Sequence, residues 1–192
     1  MALILRHSRI LHTPKCGGLW VNEAIRNSGI FHAHIGGHFE HTNLTLCPGE
    51  GLFTIASVRH PWRWWQSYWV FKQDHGWDDA LPVDRDCRDD EFERFLVRIL
   101  EHHPGYCTYV FELYVGAPDR EIAFVGRFER LVDDLVLGLT RAGETFDETA
   151  IRATPPVNVG RYDAHDLTCS TEVRARILDA ERPAFERFGY TF

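Results

Sequence analysis

The segment HTPKCGGLWV at residues 12–21 places one lysine shortly before two adjacent glycines. Glycines allow backbone N–H groups to approach an anion closely, the beginning of a helix adds partial positive charge, and Lys15 adds a full one. The expected ligand is therefore a phosphate or a similar oxyanion. The order differs from G-x-x-x-x-G-K-[ST], because here the lysine precedes the glycines, which disfavours an ordinary ATP or GTP site. A tight turn with a solvated lysine is the alternative.

A second segment, SVRHPWRWWQSYW at residues 57–69, contains an arginine and a serine eight residues apart. Proline suits the first turn of a helix, so Pro61 predicts a helix that begins just after Arg59. Arg59 would then lie at the end of a strand and Ser67 about two helical turns further on. Because a guanidinium can hold a phosphate through a forked contact, both residues could bind one phosphate. The alternative is a surface arginine and an exposed helical serine.

Together, and in this order, the two segments resemble the sulfotransferases that use 3′-phosphoadenosine 5′-phosphosulfate (PAPS). In that family a P-K-x-G-[GT]-[T] loop after the first strand binds the 5′-phosphosulfate. An R-x-P-…-S segment after a later strand binds the 3′-phosphate. The matching residues here are Pro14, Lys15, Cys16, Gly17 and Gly18 in the first segment and Arg59, Pro61 and Ser67 in the second. The segments VGRFERL (125–131) and FERFGY (185–190) are also similar to the family.

The resemblance extends by position to three further residues that would bind the nucleotide. Trp20 matches the tryptophan that packs on the adenine in cytosolic members, with a core helix residue as the alternative. Phe128 matches an aromatic position near the adenine in some members; stacking of that kind binds a base without specific polar contacts. Arg161 lies where relatives place a basic loop near the 3′-phosphate.

One residue departs from the family pattern. The family usually has a hydroxyl residue after the second loop glycine, whereas this chain has Leu19, which offers only its backbone N–H. A lost hydrogen bond to a charged group costs roughly 1.5–3 kcal/mol, or about one to two orders of magnitude in affinity. The departure keeps open a non-catalytic relative that still binds the nucleotide.

A general base would have to take the proton from the acceptor hydroxyl, and an imidazole, which titrates near pH 6.5, is suited to that. The segment IGGHFEH (35–41) looks like the G-H segment that carries a catalytic histidine in some members, which nominates His38. Other members use a glutamate, so Glu40 is the reserve candidate and His41 the third. A metal site formed by His32 and His34 with the nearby His38 and His41 is one alternative, and scattered solvated histidines are another. No cysteine or carboxylate pattern completes a metal site, and sulfuryl transfer requires no metal.

These residues predict three functions in descending order. The first is transfer of a sulfuryl group from PAPS to a hydroxyl or amine of a small-molecule, carbohydrate or peptide acceptor, with adenosine 3′,5′-bisphosphate as product. The second is a non-catalytic nucleotide-binding relative. The third is a small-molecule kinase, against which stand the lysine spacing and the lack of a clear carboxylate motif for Mg²⁺.

Alternating strands and helices would position these residues. Strands are predicted at 8–13, 30–35, 52–58 and 121–129, and helices at 19–29, 62–72, 91–103, 130–143 and 170–190, the last of which bends or stops near Pro183. The acidic stretch 78–90 is predicted to be a surface loop. This alternation indicates a three-layer α/β sandwich with a mostly parallel central sheet, which the resemblance identifies as P-loop-like. In such sheets ligands bind beyond the C-terminal ends of the strands.

Length, charge and cysteine usage narrow the classes further. The length of 192 residues predicts one domain over residues 1–192, which the resemblance implies is sulfotransferase-like. The net charge of −7 argues against a nucleic-acid partner. Five cysteines without a C-x-x-C pair argue against a disulfide framework and a zinc ribbon. The lack of a long apolar run or a recognisable export signal predicts a cytoplasmic protein without a membrane partner.

Overall fold

The computed structural model describes residues 2–30, 32–35, 42–49 and 51–191 of the chain. These residues form an α/β fold in which helices accompany an open, mixed sheet, so the predicted α/β class is confirmed. The strands of the sheet are β1 Ala2–Ile4, β2 Ser8–Leu11, β3 Ala33–Ile35, β4 Phe53–Val58 and β5 Phe124–Arg127.

The strand order in the sheet is β3-β1-β2-β4-β5. β2 pairs parallel with β4, and β4 pairs parallel with β5, whereas β1 pairs antiparallel with both β2 and β3. Only residues 5–7 separate β1 from β2, which suffices for a hairpin but not for the longer crossover that a parallel pair needs. The sheet is therefore parallel around β4 and antiparallel around β1.

The helices of the described residues are α1 Gly18–Asn27, α2 Pro61–His75, α3 Pro82–Cys87, α4 Phe92–His102, α5 Tyr106–Val115, α6 Leu131–Arg141, α7 Glu148–Ala153, α8 Thr171–Ala180 and α9 Arg182–Phe188. Short 3-10 turns cover Phe128–Arg130 and Tyr162–Ala164. Within the described ranges, none of the helices has the length and the hydropathy that crossing a lipid bilayer requires.

The chain divides into two compact units. The first, here called the sheet unit, comprises Met1–Arg59 and Val110–Asn158 and contains all five strands described above. The second, here called the helical unit, comprises His60–Tyr109 and Val159–Phe192. A single domain over residues 1–192 stays a prediction.

The core of the sheet unit lies between the strands and the apolar faces of α1 and α6. Its members include residues from three strands and three helices: Leu3, Ile10, Ile25, Ile55, Leu139 and Ile151. Burial of each such side chain contributes about 1.5–3 kcal/mol. The spacing of Val21, Ala24 and Ile25 places one face of α1 in this core, so the first residues of α1 are held at a fixed position relative to β2.

Aromatic side chains dominate the core of the helical unit. Trp62, Trp64, Trp65 and Trp69 are all buried, and their rings pack against neighbours such as Phe92 and Phe95. Four of the five tryptophans of this region therefore serve as core residues.

The prediction of a surface loop at 78–90 is wrong, because part of this segment forms α3. Asp84 in α3 is fully buried, where it pairs with Lys72 and accepts a hydrogen bond from the Tyr68 hydroxyl. The carboxylate oxygen Oδ2 also accepts from the Asp78 backbone N–H at 2.8 Å. An acidic composition suggested exposure, but a buried cation and hydroxyl from α2 compensate the desolvated charge.

Other boundaries differ by a few residues. The strand predicted at 8–13 ends at Leu11, the one at 30–35 spans Ala33–Ile35, and the one at 121–129 spans Phe124–Arg127. The tail consists of two helices rather than one, since α8 ends at Ala180 and α9 begins at Arg182, with Pro183 in its first turn. β1, α5 and α7 are additional elements that the pattern did not predict.

Candidate anion-binding site

A tight turn joins β2 to α1 and contains the lysine and both glycines of the first segment. Lys15 has φ 61° and Gly17 has φ 84°, so two of its residues adopt the left-handed conformation. The Cys16 backbone N–H donates to the Thr13 carbonyl at 3.2 Å, which closes the turn. Gly17 is the N-cap of α1 and supplies no side-chain cap, and the first turn of α1 contains no acidic residue. The positive end of the α1 dipole therefore meets no carboxylate of its own first turn.

Both glycines lie against neighbouring side chains, which explains why larger residues are excluded. A Cβ atom on Gly18 would overlap the His12 imidazole, and one on Gly17 would overlap Leu131. A Cβ atom on Gly17 would also lie 3.2 Å from Cδ2 of Phe128. Both positions at the start of α1 are therefore restricted to glycine by close packing, and the backbone there carries no side chain.

Arg59 reaches this turn from the neighbouring strand. β4 and β5 are parallel, and the pairing of Val58 with Arg127 puts the next residues, Arg59 and Phe128, at the same edge of the sheet. The Arg59 Nη1 donates to the Lys15 carbonyl at 3.2 Å, and its guanidinium carbon lies 4.1 Å from the centre of the Phe128 ring. Residues that are 44 and 113 positions from Lys15 in the chain therefore meet around one turn.

Cys16 lies in the turn, and the pKa of its thiol depends on burial and on the charged residues nearby. Burial raises the pKa of the Cys16 thiol far above its usual range, and the nearby Arg59 and Lys15 oppose that rise only in part. Glu129, which is exposed, raises the same pKa. The thiol is therefore neutral at physiological pH, and no thiolate at Cys16 would repel an anion. The cationic side chains near it are Lys15 in the turn and Arg59 after β4.

A small cavity lies behind the turn and was not foreseen from the sequence. Its volume is about 10 Å³, enough for about one water molecule, and its walls include Thr13, Asn22 and Ser57. The Thr13 hydroxyl is buried and has no hydrogen-bond partner among the described residues. The only sequence signal for this cavity is the threonine directly before Pro14. The cavity itself also needs Ser57 of β4 and Asn22 of α1, which the sequence does not place beside Thr13.

Trp20 is part of the core of the sheet unit. Its side chain is only 7% exposed, and its indole Nε1 donates to the Thr154 carbonyl at 3.2 Å. This environment corresponds to the alternative that the sequence left open, a core helix residue.

Ser67 and Arg161 belong to the helical unit. Ser67 lies on α2, as predicted, and is buried. Arg161 donates to Asp74 at 2.7 Å, and His165 lies 3.0 Å from the same carboxylate oxygen. The hydrogen bonds from Arg161 and then from His165 hold the pKa of Asp74 below its usual value. The Arg161 guanidinium thus pairs with the Asp74 carboxylate in this structure.

The base candidates His38, Glu40 and His41 lie outside the described residues. Of the two histidines shortly before that segment, His32 has Nδ1 2.9 Å from the Ile30 carbonyl, and its ring packs edge-on against that of His34, with the ring centres 5.1 Å apart. No group of three or more possible metal ligands occurs within the part of the chain that the structure describes.

Leu19, the residue that departs from the family pattern, is the second residue of α1 and is half-buried. The site thus brings together Lys15, Gly17, Gly18, Arg59 and Phe128 within the sheet unit. No protein-family model, curated protein or solved structure matches this chain.

Proposed function

We propose that this protein is a sulfotransferase that moves the sulfuryl group of PAPS to a hydroxyl or amine of an acceptor. The acceptor would be a small molecule, a carbohydrate or a peptide. The proposal includes the finer fold assignment, a three-layer, P-loop-like sulfotransferase domain. In its support, three parallel strands lie side by side, and the glycine turn follows the first of them in the chain.

One observation carries the proposal, the hydrogen bond from Arg59 Nη1 to the Lys15 carbonyl at 3.2 Å. The sequence nominated Lys15 and Arg59 separately as phosphate-binding residues, and the family resemblance assigned them to one nucleotide. Their proximity within the sheet unit would let a single nucleotide contact both residues. A turn with a solvated lysine and an unrelated surface arginine would not need this contact.

The residues of the turn fit the donor nucleotide. Bare backbone at Gly17 and Gly18 and the positive end of α1 would hold the 5′-phosphosulfate, and Lys15 would stabilise charge on the oxygen between sulfur and the 5′-phosphate. Arg59 would hold the 3′-phosphate, and a contact of Ser67 with the same group stays a prediction from the sequence. A neutral Cys16 adds no repulsion.

The reaction is a single displacement that needs positioning and charge stabilisation more than covalent chemistry. PAPS supplies the sulfuryl group. His38 would take the proton of the acceptor hydroxyl, or of the amine, as the acceptor atom forms its bond to sulfur. The bond from sulfur to the bridging oxygen breaks, and adenosine 3′,5′-bisphosphate leaves with the electron pair, its charge held by Lys15.

The binding part of the proposal is tested by thermal unfolding with adenosine 3′,5′-bisphosphate, compared with ATP and Mg²⁺. A ligand at about 100 times its Kd stabilises the folded state by about 2.7 kcal/mol, which raises Tm by about 5–10 °C for a chain of this size. We expect the larger shift with the bisphosphate, and Lys15→Ala to lose most of it. A larger shift with ATP and Mg²⁺ would instead favour a small-molecule kinase.

The catalytic part is tested with PAPS labelled in its sulfuryl group and a panel of phenols, sugars and peptides. His38→Ala should abolish transfer while leaving binding of the bisphosphate intact. His34→Ala is the matched control, since it removes a histidine of the same segment that lies in β3, and should keep transfer. Full transfer by His38→Ala would move the base to Glu40 or His41, which Glu40→Gln and His41→Ala would then separate.

Leu19 favours one second candidate, a nucleotide-binding relative without turnover. Its half-buried side chain lies in the first turn of α1, where the related loops have a hydroxyl. Tight binding of the bisphosphate without label transfer to any acceptor would support that candidate over the enzyme. A cytoplasmic location and the absence of nucleic-acid and membrane partners remain predictions.

A further inference from the structure

We propose that Phe128 is a positioning residue, which holds the Arg59 guanidinium against the lysine turn, rather than a residue that contacts adenine. This inference rests on the proposed function, because it assigns a role to Phe128 within the same nucleotide site. It makes Phe128 a determinant of the preference for nucleotides that carry a 3′-phosphate.

The first argument is the position of Phe128 in the fold. It is the first residue after β5, just as Arg59 is the first residue after β4, and the two strands are parallel neighbours. Residues that follow the ends of adjacent parallel strands emerge side by side at one edge of the sheet. The backbone therefore delivers the ring to the arginine.

The second argument is the contact between the two side chains. The guanidinium carbon of Arg59 lies 4.1 Å from the centre of the Phe128 ring, well within the 6 Å range of a cation–π interaction. A planar guanidinium that stacks on a ring keeps its N–H groups in the plane, directed away from the ring. One of them, on Nη1, donates to the Lys15 carbonyl.

The third argument is the contact between the ring and the turn. A Cβ atom at Gly17 would lie 3.2 Å from Cδ2 and 3.3 Å from Cε2 of Phe128, so the ring edge packs against the bare backbone of Gly17. The ring is thus in contact with the turn at one edge and with Arg59 at its face. An adenine that stacked on the face of Phe128 would have to displace the Arg59 guanidinium. A positioning role, in contrast, uses the contacts with Arg59 and Gly17 as they stand.

The consequence is selective for the 3′-phosphate. An arginine held in one orientation loses less side-chain entropy when it binds a phosphate, so removal of the ring should weaken only those ligands that Arg59 contacts. An adenine-stacking residue would, in contrast, contribute equally to every adenosine nucleotide.

The test compares adenosine 3′,5′-bisphosphate with adenosine 5′-monophosphate, which lacks the 3′-phosphate, by calorimetric titration. Phe128→Leu keeps an apolar side chain but removes the ring, and should weaken the bisphosphate about fivefold while the monophosphate changes less than twofold. Phe128→Tyr keeps the ring face and should restore the wild-type value. In an Arg59→Lys background, Phe128→Leu should have no further effect, because lysine has no planar guanidinium to be held.

Each result decides the question. Equal weakening of both nucleotides would show that the ring contacts the adenosine moiety, and unchanged affinity for both would show that it contributes to neither; either would overturn the inference while the proposed function stands. If the wild-type protein binds the bisphosphate no better than the monophosphate, the proposed function fails as well. Should Phe128→Leu not fold, as judged by its melting curve, Phe128→Met serves in the same comparison.

Discussion

Leu19 offers the sharpest perturbation of the site, since a single substitution should improve it. Leu19 is the second residue of α1, next to Gly18, and its side chain is half-buried. Under the proposed function, a hydroxyl residue at this position would donate to the phosphosulfate. Leu19→Thr would restore that donor in the first turn of the helix.

The expected gain follows from the charge of the acceptor. A hydrogen bond to a charged group contributes roughly 1.5–3 kcal/mol, which corresponds to an increase of about 10- to 150-fold in affinity. Threonine is a weaker helix former than leucine by up to about 0.7 kcal/mol, but this cost falls on the free energy of unfolding and not on Kd. Leu19→Val is the matched control, because valine has the shape of threonine without the hydroxyl.

The assay is calorimetric titration of both variants with adenosine 3′,5′-bisphosphate, whose 5′-phosphate would occupy the turn at Lys15 under the proposed function. Leu19→Thr should bind at least tenfold more tightly than Leu19→Val, and urea unfolding should give the two variants similar midpoints. Equal Kd values for two equally stable variants would refute the reasoning, because the hydroxyl would then lie out of reach of the anion.

Three further changes test the packing around and beyond the site. Glu181 is buried and accepts hydrogen bonds from Trp65, Cys107 and Thr108. Glu181→Ala should therefore lower the free energy of unfolding by about 3–5 kcal/mol in urea titrations. The control is Glu186→Ala, at an exposed residue, which should change it by less than about 0.5 kcal/mol. Burial raises the pKa of Glu181 above its usual 4.5, so the wild-type protein should lose stability as pH rises from about 4.5 through the raised value, and Glu181→Gln should remove that slope. Gly17→Ala should destabilise by about 2–5 kcal/mol, through its positive φ and its overlap with a neighbouring side chain. Gly29→Ala has a similar φ in open space and should cost only about 1–2 kcal/mol; equal losses would contradict the steric argument. Thr13→Val should raise Tm slightly, because it removes a buried hydroxyl without a partner among the described residues, and a lowered Tm would indicate a bound water in the cavity.

Local patterns in the sequence predicted those elements whose own residues repeat with the right period. β2, α1, β4 and α6 all lie where apolar spacing and terminal glycine or proline placed them, to within a few residues. Each of these elements buries a face that is apolar by itself, so neighbours in the chain suffice to reveal it.

Elements that depend on distant partners escaped the same reasoning. β1 is only three residues long and is defined by its pairing with β2 and β3. α3 is acidic, and its Asp84 is buried only because Lys72 and Tyr68 from α2 meet it. The acidic composition of such a segment predicts exposure, because composition does not show which residues of other elements will pair with its carboxylates.

The sequence by itself determined the turn at Lys15, because a lysine, two glycines and a following helix are contiguous and act through local backbone geometry. Only the tertiary structure decided that Arg59 and Phe128 meet at that turn, since their approach depends on the parallel pairing of β4 with β5. A contact between residues 69 positions apart is determined by strand register, and register is a property of the whole sheet rather than of either segment.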